Sequence, residues 1–268
     1  MSVGSGASAE IDGVLSGTPV VIANGNITFG APDANNNPSD TTMVRSLISL
    51  TIGSGATVQL AKSTVPVGQV LSLSSLTDGG TLDLTNNTVI INYGSGPDPI
   101  NSIAALVASG YSGGTWTGTG IISSLAQTNH SYGIGYADYA GGNPAGLSSG
   151  QIELTYTLLG DANLDYKVNG SDFTLMAANF NDSVTAGWDK GDFNYSNTVN
   201  GDDFVLLADN FNQFASQSAV TAADLQALES FASANGISLD LTSVPEPASA
   251  GLLVAAGLGI LSKRRRKA

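Results

Sequence analysis

The chain has 268 residues, of which 12% are charged, and its formal net charge is −13. Five of the nine basic residues lie at 263–267, so the first 262 residues hold four basic side chains against 22 acidic ones. This balance disfavours nucleic-acid binding, because contacts to phosphates require a basic face. The absence of cysteine excludes disulfides and thiolate metal sites.

The first ten residues, MSVGSGASAE, contain neither a basic stretch nor an apolar stretch of the kind found in a signal peptide. Later features indicate an exported protein. We therefore expect this sequence to be a C-terminal fragment or to have a misassigned start.

Residues 11–93 alternate short apolar segments with turns rich in Gly, Asn and Asp. Apolar and polar residues alternate at 56–60 and 81–85, and Asn86-Asn87 predicts a turn before the next strand. The spacing favours stacked coils of a β-solenoid, with a β-sandwich as the alternative because no strict period is visible. The run LDLTNNTVIINY (82–93) resembles the last coils of autotransporter-like β-helix proteins.

The next segment, which completes a predicted β-rich region over 1–157, begins with a helix. Its pattern starts at Ile100 and ends at Gly110, and a Gly-rich turn around Trp116 follows. Residues 132–140 and 151–160 predict two strands.

A 31-residue repeat follows directly. Residues 160–172 and 191–203 match without a gap, and each copy precedes a similar apolar stripe. Calcium takes six to eight oxygen ligands, which a twelve-residue loop can supply from positions 1, 3, 5, 7, 9 and 12. The sequence therefore predicts two calcium sites, with position 7 contributing its backbone carbonyl. The first would use Asp161, Asn163, Asp165, Lys167, Asn169 and Asp172; the second would use Asp192, Asn194, Ser196, Thr198, Asn200 and Asp203.

Two positions depart from the usual loop. Position 6 normally holds Gly because its φ is positive, but here it is Tyr166 or Asn197. Ser196 replaces a carboxylate, so we expect weaker binding in the second loop. We expect the first loop to have the better charge and the second the better backbone fit.

Each loop precedes one helix, whose apolar residues recur at i, i+3, i+4 and i+7. They are Phe173, Met176, Ala177 and Phe180 in the first copy, and Phe204, Leu207, Ala208 and Phe211 in the second.

This duplicated loop and helix, over 158–215, resembles the type I dockerin family. The resemblance implies a cohesin-like partner, bound through loop positions 10 and 11. These are Gly170-Ser171 and Gly201-Asp202 here, which depart from the family's hydroxyl-rich pairs. The alternative is that the module only packs on the β-rich region. A third helix is predicted within 216–242, with an apolar stripe that should pack on the module.

The tail at 243–268 carries a further motif. Val244-Pro245-Glu246-Pro247 precedes a short apolar run and the basic block at 263–267. It resembles the PEP-CTERM sorting signal, which implies processing by an exosortase. About 14 apolar residues span only ~21 Å, short of a ~30 Å membrane core, so residues 248–262 predict a transient membrane contact rather than a permanent anchor.

No catalytic or organic-cofactor motif emerges. His130 stands alone in a turn, and Asp83, Asp138 and Glu153 are weak candidates for paired carboxylates. Trp116 and the tyrosines at 132, 136 and 139 could stack on sugars, but core packing is the favoured interpretation.

We therefore expect a mainly β N-terminal region, a small all-α dockerin-like calcium module and a C-terminal hydrophobic helix. The predicted function is a non-enzymatic exported protein of the cell envelope or surroundings, with two Ca²⁺ sites and a protein-docking role. The alternatives are the C-terminal fragment of a polysaccharide-degrading enzyme and an adhesive matrix component.

Overall fold

The computed structural model describes residues 1–12, 15, 19–30, 43–63, 68–212 and 222–238. These ranges contain twelve strands in two sheets and four α-helices. Short 3-10 helices lie at Ser112–Gly114, Tyr139–Gly141 and Trp188–Lys190.

The larger sheet has seven strands. Their spatial order is β1 (Ser2–Val3), β3 (Val20–Ala23), β5 (Val44–Ile52), β7 (Val70–Asp78), β9 (Thr88–Asn92), β12 (Gln151–Leu158) and β11 (Tyr132–Asp138). The first five are parallel, whereas β12 is antiparallel to both of its neighbours. The sheet is therefore mixed, and β11 forms one edge.

The smaller sheet has five strands, all parallel. Its order is β10 (Gly120–Ile122), β8 (Thr81–Asp83), β6 (Thr57–Leu60), β4 (Asn26–Phe29) and β2 (Ser8–Ile11). From β1 to β10 the chain alternates between the two sheets. It returns to each sheet in the same direction, so neighbouring strands are parallel.

Aliphatic side chains fill the core in rows that cross the strands. One row joins Ile27, Val58, Leu82 and Ile121 in register across the smaller sheet, and each of these side chains is almost fully buried. Burying one such side chain stabilises the fold by about 1.5–3 kcal/mol. The predicted alternation is confirmed at 56–60, whereas at 81–85 it is wrong because residues 82–85 are all buried. Strand β8 ends at Asp83, and the turn lies at Thr85-Asn86, one residue before the predicted pair.

The four helices are α1 (Ile100–Tyr111), α2 (Gly170–Ala178), α3 (Gly201–Asp209) and α4 (Ala222–Ala234). Helix α1 confirms the helix predicted from Ile100 and ends where Ser112 adopts left-handed backbone angles. Helices α2 and α3 confirm the helices predicted after each loop. Helix α4 confirms the third helix.

The predicted fold class is wrong. The chain is an α/β fold with one parallel and one mixed sheet, and α1 lies inside the segment predicted as β-rich. The loop region does not form a separate all-α module either, because its side chains pack directly on β11. A Cβ atom at Gly135 would lie 2.5 Å from Leu164 and 2.8 Å from the indole nitrogen of Trp188. Glycine at this position of β11 permits the contact, because any side chain there would clash with Leu164 and Trp188.

No helix in the described ranges is both long and apolar enough to cross a membrane. The tail predicted as a sorting signal, residues 243–268, lies outside the described residues. That prediction and the predicted domain boundaries stay predictions.

Candidate metal centre

The two loops, here called loop 1 (Asp161–Asp172) and loop 2 (Asp192–Asp203), have the same backbone conformation. Position 6 has a φ of 63° at Tyr166 and 62° at Asn197, which confirms the left-handed conformation expected there. Position 4 is also left-handed in both loops, with φ of 59° at Leu164 and 58° at Tyr195. Residues other than Gly and Asn rarely adopt these backbone angles. Their recurrence 31 residues apart shows that the repeat extends to backbone geometry.

The carboxylate at position 12 of each loop lies in the first turn of the following helix and accepts hydrogen bonds from backbone N–H groups near both ends of the loop. In loop 1, Asp172 Oδ1 accepts hydrogen bonds from the backbone N–H groups of Ala162 at 2.9 Å and Asn163 at 3.2 Å. Its Oδ2 accepts from Asn169 N at 2.9 Å, which forms half of a capping box at the start of α2. Asp203 makes the same contacts in loop 2, with Phe193, Asn194 and Asn200.

The first carboxylate of each loop accepts hydrogen bonds from the middle of its loop. Asp161 accepts from the backbone N–H groups of Asp165 at 3.1 Å and Tyr166 at 3.0 Å. Asp192 accepts from Ser196 and Asn197, both at 2.8 Å. Each loop therefore closes around two carboxylates, at positions 1 and 12.

Burial makes these carboxylates hard to ionise. Burial, with smaller contributions from the nearby carboxylates of Asp172 and Asp165, raises the pKa of Asp161 to about 8, although the hydrogen bond from Thr157 acts to lower it. Burial likewise raises the pKa of Asp172 to about 7 and that of Asp203 to about 6, and it raises the pKa of Asp192. A cation placed between two such groups would favour their charged forms.

The remaining predicted ligands turn polar atoms toward their own loop. Asn163 Oδ1 accepts from Asp165 N at 3.1 Å, and Asp165 Oδ1 accepts from Lys167 N at 3.0 Å. In loop 2, Asn194 Oδ1 accepts from Ser196 N at 3.0 Å, and Ser196 Oγ donates to the Thr198 carbonyl at 3.0 Å. Asn169 and Asn200 instead cap α2 and α3, where their Oδ1 atoms accept from Ser171 N at 2.8 Å and Asp202 N at 2.7 Å.

In the described part of the chain, no group of three or more His, Cys, Asp or Glu side chains is arranged to hold a metal ion. Loop 2 contains carboxylates at only two ligand positions, and the other four are amide, hydroxyl or backbone oxygens. Calcium accepts all of these oxygen types. The residue types at the predicted ligand positions are therefore ones that calcium accepts, but the carboxylates by themselves form no metal-binding group among the described residues.

Two contacts to loop 1 were not anticipated from the sequence. The Thr157 hydroxyl donates to Asp161 Oδ2, and Trp188 Nε1 donates to the Asp161 carbonyl at 2.8 Å. Thr157 lies on β12 and Trp188 between the loops, so both contacts depend on tertiary packing. The position of Thr157 four residues before Asp161 was the one local signal that could have identified it.

Reciprocal backbone bonds join the two copies. Asn181, after α2, donates to the Val199 carbonyl of loop 2 at 2.7 Å, and Asn212, after α3, donates to the Val168 carbonyl of loop 1 at 2.9 Å. Val168 and Val199 are fully buried at position 8 of their loops. Each loop is therefore held by the chain that follows the other loop's helix.

Helix α4 covers the two helices with one aromatic side chain. The ring centroid of Phe231 lies 5.2 Å from Phe173, 4.8 Å from Phe180 and 5.3 Å from Phe204. The predicted packing of α2 on α3 is confirmed by the Phe173–Phe204 pair, at 6.3 Å.

The weak catalytic candidates do not converge. Asp83 accepts from Gln59, Thr85 and Ser124 in the smaller sheet. Glu153 lies opposite Ala137 in the larger sheet, so Asp138, the next residue along β11, faces the other side of the sheet. Paired carboxylates formed from Asp138 and Glu153 are thereby excluded.

The aromatic candidates are mainly core residues. Trp116 is 2% exposed and packs edge-on to Tyr111 and Tyr195, with ring centroids 5.2 and 5.7 Å away. Tyr136 is also buried, whereas Tyr139 is 42% exposed. Trp116 and Tyr136 therefore pack in the core, as the sequence analysis favoured over stacking on sugars.

Comparisons with protein-family models, curated proteins and solved structures found no match for this chain.

Proposed function

We propose that loop 1 and loop 2 each bind one calcium ion and that these ions hold α2 and α3 in place. The observation that carries the proposal is the pair of buried carboxylates at positions 1 and 12 of both loops. Both pairs lie in loops with the same left-handed backbone angles at positions 4 and 6. Burial disfavours the ionised form of all four carboxyl groups. A bound dication would supply the missing positive charge.

The chain's own groups would prepare each loop for the ion. Backbone N–H groups already orient Asp161 and Asp172, so little rearrangement of these two carboxylates is needed. Asp165 is exposed, and it would add charge from the solvent side. Loop 2 has Ser196 at that position, which supports the expectation of weaker binding there.

We further propose a non-enzymatic exported protein as the setting of these sites. An extracellular location supplies calcium at concentrations that such loops require. We also propose a cohesin-like partner, and the structure limits which loop positions such a partner could contact. A Cβ atom at Gly170 would lie 2.5 Å from Asp224 Oδ1, and one at Gly201 would lie 3.7 Å from Ile237, so position 10 of both loops lies under or next to α4. Ser171 and Asp202 are exposed beside it.

Calorimetric titration of the full chain with calcium, after chelator treatment, tests the two sites. We expect two binding events, of which Asp161→Ala abolishes one and Asp192→Ala the other. Asp165→Ala and Ser196→Ala should weaken one site each without disturbing the fold, because both side chains are exposed. Asp182→Ala, which removes an exposed charge between the loops, is the matched control.

Thermal unfolding supplies a second measurement. At free calcium 100 times the Kd, each site should add about 2.7 kcal/mol to the free energy of unfolding. Absence of binding heat together with an unchanged Tm after chelation would overturn the proposal. Binding that survives both position-1 variants would place calcium elsewhere in the chain.

A further inference from the structure

Tyr195, at position 4 of loop 2, lies at the centre of a group of aromatic side chains, here called the aromatic cluster. The other members are Tyr111 at the end of α1, Trp116 in the segment after α1, Tyr136 on β11 and Trp188 before loop 2. Their ring centroids lie 4.7, 5.7, 6.4 and 5.5 Å, respectively, from the ring centroid of Tyr195. One residue of loop 2 therefore contacts α1, the segment after it and the larger sheet at the same time.

The hydroxyl group of Tyr195 bonds to the free edge of the larger sheet. It donates to the Ile134 carbonyl and accepts from Ile134 N, both at 3.1 Å, on the edge strand β11. Glycine in β11 permits this approach, since a Cβ atom at Gly133 would lie 2.9 Å from the Tyr195 hydroxyl oxygen. An edge strand has no further strand to pair with these backbone groups. Loop 2 therefore supplies the partner for both.

The segment between α1 and β10 has a strained backbone that the aromatic cluster supports. Ser112 and Trp116 have φ of 48° and 52°, in the left-handed region that residues with side chains rarely adopt. Such angles persist only where the surrounding structure fixes them. For Trp116, the backbone N–H donates to the Tyr111 carbonyl at 2.9 Å, and the buried ring packs edge-on against Tyr195. Part of the support for this strained segment therefore comes from loop 2.

Tyr195 is also part of the backbone that would surround the ion in loop 2. The next residue, Ser196, donates its N–H to Asp192 at 2.8 Å, so position 4 is joined directly to a turn that the position-1 carboxylate holds. Burial raises the pKa of Tyr111, and the carboxylates of Asp203 and Asp192 contribute to this rise, so α1 lies within electrostatic reach of loop 2. Loop 1 has Leu164 at position 4, which carries neither an aromatic ring nor a hydroxyl group.

We propose that calcium binding in loop 2 is transmitted through Tyr195 to α1, to residues 112–118 and to β11, so that the ion stabilises this end of the two sheets as well as the loop. The inference rests on calcium binding by loop 2, as proposed above. The ion fixes the loop 2 backbone, and the fixed backbone holds Tyr195 against the strained segment and the sheet edge. Without the ion, Tyr195 is held less firmly and both parts open more often. An ion in loop 1 has no equivalent contact with α1.

Hydrogen–deuterium exchange of the full chain, in saturating calcium and in chelator, tests the proposal. We expect calcium to slow amide exchange in α1, in residues 112–118 and in β11 by at least about tenfold, a factor typical of coupling between two sites. Asp161→Ala, which leaves loop 2 intact, should retain this effect, whereas Asp192→Ala, which leaves loop 1 intact, should lose most of it. Strands β4 and β6 of the smaller sheet are the internal control and should change much less.

Variants at position 4 test whether Tyr195 carries the effect. Tyr195→Leu gives loop 2 the residue found in loop 1, and we expect it to bind calcium but to lose the calcium-dependent protection of α1. Tyr195→Phe keeps the ring and should keep the protection of α1 while losing that of β11 near Ile134. Leu164→Met changes the same position of loop 1 and should behave as the parent does. If Tyr195→Leu does not fold in chelator, Tyr195→Phe and the two position-1 variants decide the question.

The outcomes separate this proposal from calcium binding itself. If calorimetry shows an ion in loop 2 but exchange in α1 and β11 is unchanged, calcium binds without being transmitted, and only this proposal fails. It also fails if β4 and β6 slow as much as α1, because calcium then raises only the global stability. Equal effects of Asp161→Ala and Asp192→Ala, or full protection of α1 in Tyr195→Leu, would exclude Tyr195 as the link. Absence of binding heat in the parent would overturn this proposal together with the one on which it rests.

Discussion

Loop 1 and loop 2 have the same backbone conformation but differ in the number of their carboxylates and in how far burial raises the pKa values. Loop 1 places three carboxylates at ligand positions, and burial raises the pKa of Asp161 to about 8. Loop 2 places two, and burial raises the pKa of Asp203 only to about 6. Loop 1 is therefore expected to bind calcium more tightly and to destabilise the calcium-free fold more when its carboxylates ionise.

The loops also differ in how they are attached to the sheet. At position 4, Tyr195 of loop 2 reaches β11, where its hydroxyl donates to the Ile134 carbonyl and accepts from Ile134 N, both at 3.1 Å. Leu164 of loop 1 makes only apolar contacts at the same position, and Thr157 and Trp188 hold loop 1 instead. Identical local geometry can thus be anchored by unrelated tertiary contacts.

The largest expected effect concerns pH in the calcium-free protein. The folded pKa values of Asp161 and Asp172 exceed the unfolded value of 3.8, so the folded state binds more protons between pH 4 and 8. The free energy of unfolding contributed by these groups is therefore highest at low pH and falls as pH rises to about 8. In chelator, we expect the free energy of unfolding to decrease by on the order of a few kcal/mol across this range, and the Tm to fall with it.

The same measurement compares the loops. Asp161→Asn should remove more of this pH dependence than Asp192→Asn, and excess calcium should suppress it in the parent. A Tm in chelator that rises steadily from pH 4 to 8 would contradict this account of loop 1.

A smaller effect is expected from the anchor of loop 2. Tyr195→Phe leaves two buried backbone groups of the edge strand β11 without a partner, at a cost of about 2–3 kcal/mol. Urea unfolding should show this loss. Tyr166→Phe is the matched control in loop 1, since its hydroxyl contacts only the Thr155 hydroxyl at 3.0 Å, and it should cost less than about 1 kcal/mol. Equal losses in the two variants would show that the loops are anchored alike.

The smallest effect concerns position 6. Asn197→Tyr should lower stability by about 1 kcal/mol, because Tyr adopts a φ of 62° less readily than Asn. Tyr166→Asn should be nearly neutral, since relief of the same strain offsets the lost contact with Thr155. Asn197→Gly is the control and should not destabilise by more than about 0.5 kcal/mol. A large loss in this control would mean that the Asn197 side chain has a separate role.

Several elements could be derived from residue order alone because they depend on contacts within a few residues. The alternation at 56–60 and 81–85 predicted strands, and the start of α1 at Ile100 followed from its apolar pattern. The loops were predictable for the same reason, because positions 1 and 12 bond backbone groups of their own loop. The left-handed angles at Tyr166 and Asn197 followed from loop position despite the absence of Gly.

The fold class could not be derived in this way. An alternating strand pattern is the same whether its neighbour is parallel or antiparallel, since the pattern records only which face is buried. The helix α1 was predicted, but its packing on β10 and β11 was not, and neither was the packing of the loops on β11.

The residue order by itself determined the two repeated loops, their helices and most strands, since each follows from short-range hydrogen bonds and periodicity. Only the tertiary structure decided which groups support them: Thr157 and Trp188 at Asp161, Tyr195 at Ile134, and the meeting of Tyr111 and Trp116 with Tyr195. Tyr111 and Trp116 lie 84 and 79 positions before Tyr195 in the sequence. They meet because β11, α1 and loop 2 pack together, and no local pattern encodes that contact.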